Sequence, residues 1–202
     1  MFIPKAVAVT ALFTSLLFTG TASAVQYYPS PDGIQGAIKV VQYKTGSQKP
    51  YYVWRAPVVL SKGSKPTVEG STAVILSGIA YAPETAPNEV KKTIWAGNKI
   101  ATKPYVYGGG HGSFASSGYD CSGSVSYALN GGRLLSSPLA SGALMSWGVS
   151  GKGKWITVYS NPGHVWMRVA GVAFDTSGAS PSRWQLPLKT TSGYAARHPE
   201  KL

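Results

Sequence analysis

Along the chain, apolar and polar positions alternate in three distinct styles. Ala6 to Phe18 is an apolar run interrupted only by Thr10, Thr14 and Ser15. From residue 25 to 86 the apolar stretches are short and rich in Val, Ile and Tyr: Ile38 to Tyr43, Tyr51 to Leu60 and Thr72 to Tyr81. Gly, Ser, Pro and Lys clusters separate them, which is the punctuation of short strands. Pro50, Pro57 and Pro66 speak against a regular central sheet, so a small β subdomain and a loosely ordered pro-segment both fit. At Pro87 the period changes. Asn88 is suited to cap a helix, and Val90, Ile94, Gly97 and Ala101 recur at helical spacing until Pro104. A second helix is predicted after Asp120, with Val125, Ala128 and Leu129 as its apolar stripe and Gly131-Gly132 as its stop.

The last third of the chain is β-like. Trp155 to Tyr159, His164 to Ala170 and Val172 to Ser177 read as strands, the last two joined at Ala170-Gly171. Residues 181–202 are polar and proline-punctuated and read as a last strand or loop with a frayed tail. There is no convincing internal repeat. The pattern predicts an α+β protein in three parts: residues 1–24, residues 25–86 and a principal domain over 87–202.

The first part has the layout of a secretory signal. Lys5 precedes the apolar run, and Ala22-Ser23-Ala24 supplies the small-x-small pattern of a cleavage site. The run is too short for a comfortable membrane span, and no later stretch reaches the required length. An exported protein is therefore expected, periplasmic or fully outside the cell at its wall, with no membrane span once the signal is removed.

Composition adds two facts. The formal net charge is +12, from 19 basic and 7 acidic residues. Such a surplus favours association with polyanions such as anionic cell-wall polymers. The basic residues are scattered and no groove-reading motif accompanies them, so a nucleic-acid function is not expected. The second fact is a single cysteine, Cys121. Exported proteins mostly pair their cysteines, so this one is either a buried small hydrophobe or chemically employed.

Cys121 falls at the first position of the helix capped by Asp120. A helix N-terminus favours the thiolate, whereas the Asp120 carboxylate opposes it, so a histidine partner is required. Of the three histidines, His198 lies in the tail and His111 in the glycine loop Gly108-Gly109-Gly110-His111-Gly112. That loop lacks the lysine and hydroxyl of a phosphate cradle. His164 opens a strand. If Ala170 and Gly171 form a two-residue turn, Asp175 pairs with Trp166 and becomes a same-face neighbour of His164. One imidazole nitrogen would then meet Asp175 and the other Cys121, the layout of a thiol hydrolase. The bland alternative is an ordinary surface His–Asp pair. One cysteine and separated histidines do not have structural-zinc spacing, so no metal is expected.

Three ordered motifs carry a family resemblance: Pro104-Tyr105-Val106-Tyr107-Gly108-Gly109, then Tyr119-Asp120-Cys121-Ser122-Gly123, then Gly163-His164-Val165 with a polar residue eleven positions on. Over residues 87–180 the chain resembles the NlpC/P60 cysteine peptidases. The resemblance implies a papain-like α+β fold in which a helix bearing the cysteine packs on an antiparallel sheet bearing the histidine. It implies hydrolysis of peptidoglycan stem peptides, commonly between D-glutamyl and diaminopimelyl residues, by a monomer without a cofactor. Position by position it makes Cys121 the nucleophile, His164 the general base and Asp175 the third polar residue. Tyr105 would line the site, and Asp120 and Ser122 would shape the substrate pocket. Apart from the resemblance, Tyr107 and His111 are candidates to contact substrate, His111 reading equally as a solvated loop residue. The chain departs from the family pattern at Tyr107, where Trp is usual, and in the long loop holding His111. Lys154-Trp155-Ile156-Thr157-Val158 stands where Gly-Asp-Leu usually precedes the histidine strand. The rival expectations are a non-catalytic wall-binding protein and an amidase or acyltransferase on the same scaffold.

Overall fold

A computed structural model describes residues 38–43, 50–55, 59–61, 63–178, 182–186 and 189–202. The secretory signal expected over residues 1–24 lies outside them. Strands β1 (Ile38–Tyr43) and β2 (Pro50–Arg55) form an antiparallel pair. Next come β3 (Val59–Ser61), β4 (Thr67–Val68), β5 (Val74–Leu76) and β6 (Ile79–Pro83), which make a four-stranded sheet in the order β3-β4-β6-β5.

Helix α1 (Asn88–Ile100) follows. Asn88 is its first helical residue and Pro87 occupies the cap position without a side-chain bond. Proline suits this place because a backbone N–H there would have no partner within the helix. Val90, Ile94 and Ile100 are buried on one side, as the spacing requires. Ala73, Ile75, Ala80, Ala82 and Ala86 enter the same core as α1. The change of sequence character at Pro87 thus marks where a helix begins, and the apolar core runs through it. Ala73 N–H also donates to the carbonyl of Ala170 at 2.8 Å, tying β5 to the far hairpin.

Helix α2 (Cys121–Gly131) packs against α1, and a short α3 (Ser141–Leu144) follows. The main sheet has six antiparallel strands in the order β11-β10-β9-β8-β12-β7. They are β7 (Val149–Ser150), β8 (Ile156–Ser160), β9 (Val165–Val169), β10 (Val172–Phe174), β11 (Trp184–Gln185) and β12 (Ala195–His198). The architecture is α+β, with α2 lying on β9. Ile156, Val158, Val165, Met167, Val169 and Phe174 join Val125, Ala128 and Leu129 of α2 in the core. A smaller cluster of Tyr159, Trp166 and Ala173 covers the sheet's other face, as strand alternation demands.

The last stretch, expected to hold a last strand or loop and a frayed tail, does hold a strand near its end, the sheet's fifth in spatial order. β12 sits inside the sheet, paired with β8 on one side and β7 on the other. Its small residues Ala195 and Ala196 do not advertise a strand, because pairing on both edges, not propensity, holds it there. Both outer strands, β7 and β11, are only two residues long, which limits the open edge offered to other chains. Among the described residues no helix is long and apolar enough to cross a membrane.

Candidate active site

Asp120 caps α2: its Oδ1 accepts the Gly123 N–H at 2.8 Å. This fixes Cys121 at the first turn, partly buried at the edge of the main core. The glycine loop lies directly on that turn. Gly108 N–H donates to Asp120 Oδ2 at 3.1 Å, and Asp120 N–H donates to the Gly109 carbonyl at 3.2 Å. A β-carbon on Gly109 would stand 2.4 Å from the Gly118 oxygen, so only glycine permits this backbone-on-backbone approach.

His164 comes from the opposite side. Asn161 Oδ1 accepts the N–H groups of Gly163 at 3.0 Å and His164 at 2.8 Å, a side-chain turn that sets the start of β9. The hairpin beyond it turns on Ala170 (φ 46°) and Gly171 (φ 96°), with Val172 opposite Val169 and Phe174 opposite Met167. Positive φ at both central residues is the turn that matches strand twist. It brings Asp175 Oδ1 to 2.9 Å from His164 Nε2. The His164 Nδ1 is then the nitrogen left to face the Cys121 thiol, and the two groups lie close enough for each to shift the other's pKa.

The electrostatics follow from these contacts. Burial pushes the Cys121 thiol up, but its hydrogen bonds to His164 and to the Val165 N–H, with the His164 charge, outweigh burial and the Asp120 repulsion, so its pKa is lowered. Hydrogen bonds to Asp175 and then to Cys121 raise His164 to about 9 against the opposing effect of burial. Burial alone would raise Asp175, yet bonds from His164, Lys189 and the Ser177 N–H bring it down to about 2. A lowered thiol beside a raised imidazole favours a thiolate–imidazolium pair near neutral pH.

Tyr105 and Tyr107 form an exposed approach to this centre, 56% and 91% accessible, with Val106 between them 44% accessible. Tyr105 is close enough to Cys121 and Asp120 that their charges, after burial, raise its phenol. Asp120, Ser122 and His111 are brought together, but onto one another. His111 Nε2 lies 2.8 Å from Asp120 Oδ2 and 2.8 Å from Ser122 Oγ, and Ser122 Oγ donates to Asp120 Oδ1 at 3.1 Å. Asp120 and Ser122 are buried and spend their polar atoms on the loop, while His111 keeps an exposed edge. His198, in β12, has its Nδ1 2.9 Å from the Pro199 carbonyl oxygen.

Three residues of the supposed tail belong to the site, and the sequence reading missed them. Lys189 Nζ is 2.8 Å from Asp175 Oδ2 and also bonds Ser177. Tyr194 sets its ring edge-on to His164, centroids 6.5 Å apart. Arg183 is buried, and among the described residues it has no carboxylate partner. It donates to the carbonyls of Ile100 at 2.6 Å, Lys103 at 2.7 Å and Tyr119 at 3.1 Å, and to Ser124 Oγ at 2.9 Å. Its own carbonyl accepts the Asp175 N–H at 2.8 Å. One guanidinium therefore ties the segment leading to Tyr105, the nucleophile helix and the Asp175 turn together. Its only signal in the sequence is a lone arginine beside Trp184, which does not distinguish it from a surface residue. Among the described residues there is no group of three or more His, Cys, Asp or Glu that could hold a metal ion.

No protein-family model and no curated protein matches the chain. Among solved structures it is similar to the hypothetical invasion protein Rv1477 of Mycobacterium tuberculosis, at 21% identity and TM-score 0.41, over 55% of this chain and 65% of that one. It is also similar to an NlpC/P60 family protein from Bacillus cereus, at 20% identity and TM-score 0.43, over 79% of this chain and 60% of that one. The chain thus spans less than two thirds of the length of either.

Proposed function

We propose that this protein is an exported cysteine peptidase that hydrolyses peptide bonds in peptidoglycan stem peptides. The observation that carries the reading is the line Cys121–His164–Asp175, with the thiol lowered and the imidazole raised to about 9. The three NlpC/P60-like sequence motifs supply the substrate class.

In this mechanism the Cys121 thiolate attacks the scissile carbonyl carbon. The developing oxyanion is held by backbone amides, the Cys121 N–H among them, since that group lies at the open start of α2. His164 imidazolium gives its proton to the departing amine, the C–N bond breaks, and a thioester remains. Neutral His164 then takes a proton from water as the water attacks the thioester, and Cys121 leaves as thiolate. Asp175 holds the imidazole in orientation throughout, with Lys189 on its second oxygen. The exposed Tyr105–Tyr107 segment offers the substrate a surface beside the thiol.

The test is digestion of purified peptidoglycan by residues 25–202 and by the same protein carrying Cys121→Ala, with products weighed by mass spectrometry. New amine-terminated stem fragments from the unaltered protein alone would support the reading and identify the bond. No fragments from either, with both proteins folded, would sink it. An acylated acceptor in place of a hydrolysed product would assign acyl transfer instead.

A further inference from the structure

We infer a second, non-catalytic site: a cationic groove between α1 and the end of α2 that takes a linear phosphodiester polymer built on polyol or sugar units. The groove, about 240 Å³, is lined by Lys65, Lys92, Trp95, Lys99 and Gly131. Trp95 is held in place by its Nε1–H, which donates to the Pro66 carbonyl at 3.0 Å. Lys65 Nζ stands 5.9 Å from the Trp95 ring centroid. Lys92 and Lys99 lie three residues before and four residues after Trp95, on the same side of α1. A rise of about 1.5 Å per residue separates these two lysines by about 10 Å along the axis.

Three features set this groove apart from an ordinary solvated helix face. No acidic residue lines it. The ion pairs among the described residues, His111–Asp120, His164–Asp175 and Lys189–Asp175, all lie around Cys121, so the groove's lysines have none. The cations also share a concave surface with a half-buried indole. Cations spread over two helical turns match a chain of repeating negative charges better than one compact anion. The indole between them gives an apolar surface on which the uncharged polyol or sugar part can lie.

Gly131 is ten residues from Cys121 along α2, about 15 Å at helical rise. A polymer seated in the groove would leave the thiol uncovered. The groove is thus a tether, and its occupancy does not depend on the peptide-bond chemistry.

Binding of purified poly(glycerol phosphate) to the whole exported protein would be measured at low and high salt. Replacing the groove lysines together (Lys65→Gln, Lys92→Gln, Lys99→Gln) should weaken binding at least tenfold. A charge-matched control (Lys152→Gln, Lys154→Gln, Lys201→Gln) should change it less than threefold, with all unfolding midpoints alike. The Cys121→Ala protein should bind as tightly as the unaltered one, which separates this site from failure of the peptidase reading. Equal losses in the two lysine sets would reduce the groove to bulk charge and overturn the inference. So would no binding by the unaltered protein, or tighter binding to oligothymidylate or anionic vesicles of matched charge.

Discussion

A β-carbon placed on Gly123 would lie 2.0 Å from the carbonyl oxygen of Gly109. That closeness is why the glycine loop and the first turn of α2 hold the nucleophile between them. Gly123→Ala must push the loop off the helix and should cost about 1–3 kcal/mol, as overpacking does. Gly112, with nothing within 4 Å of a β-carbon, should accept alanine with little change. Denaturant unfolding of both variants measures the difference, and peptidase activity should fail only in Gly123→Ala.

The lowered thiol makes a kinetic prediction. Iodoacetamide should alkylate Cys121 at lower pH than it alkylates an ordinary thiol, because His164 favours the thiolate. His164→Ala should move that titration upward. Equal titrations in the two proteins would show that the histidine does not activate the thiol.

Activity should fall on the alkaline side near pH 9, where His164 loses its proton. Asp175→Asn removes the first cause of the raised imidazole, so this limb should move to lower pH. The rate should also fall by about 10²-fold or more, the scale of a positioned acid–base group. A steady-state pH profile of both proteins is the measurement. An unmoved limb would place Asp175 outside the proton chemistry.

Stability should respond to pH at both ends. Asp175 stands at about 2 in the fold against an ordinary 3.8, so its contribution is present above pH 3.8 and is lost as pH falls through about 2. His164 stands at about 9 against 6.5, so its contribution is complete below pH 6.5 and is lost as pH rises through about 9. Thermal melts of the unaltered protein should show the alkaline loss, and in Cys121→Ala, which lacks the second cause of the raised imidazole, that loss should come at lower pH. Asp175→Asn should lack the acid loss.

Arg183→Lys should destabilise the protein by at least about 2 kcal/mol, because one ammonium cannot reach all the carbonyls and leaves buried acceptors unpaired. The same change should raise KM or lower kcat through the Tyr105 approach and the α2 start. Urea unfolding with parallel kinetics would check both.

Much of this arrangement was legible in the residues. Asp120 announces a cap, and the Ala170-Gly171 step between two apolar runs sets the register that carries Asp175 to His164. These are local signals. What stayed hidden depends on long-range pairing. Lys189, Tyr194 and β12 belong to a stretch whose composition is that of a loop, and only β8 and β7 make it a strand. Arg183 acts on carbonyls some eighty residues away, for instance Lys103, and a carbonyl has no signature in a sequence. The sequence leaves His111 open between a substrate contact and a solvated loop residue, and only the fold shows its imidazole meeting Asp120 and Ser122 while keeping an exposed edge.

The place of β12 also dictates an order of assembly. β8 is buried along its whole length, with one edge paired to β9 and the other to residues 195–197. Until those residues arrive, an apolar ribbon stands open on one side, ready to zip onto a neighbouring chain. The thiol-bearing helix is therefore made long before the sheet beneath it can close. A chain ending ahead of residue 195 should aggregate instead of completing the sheet.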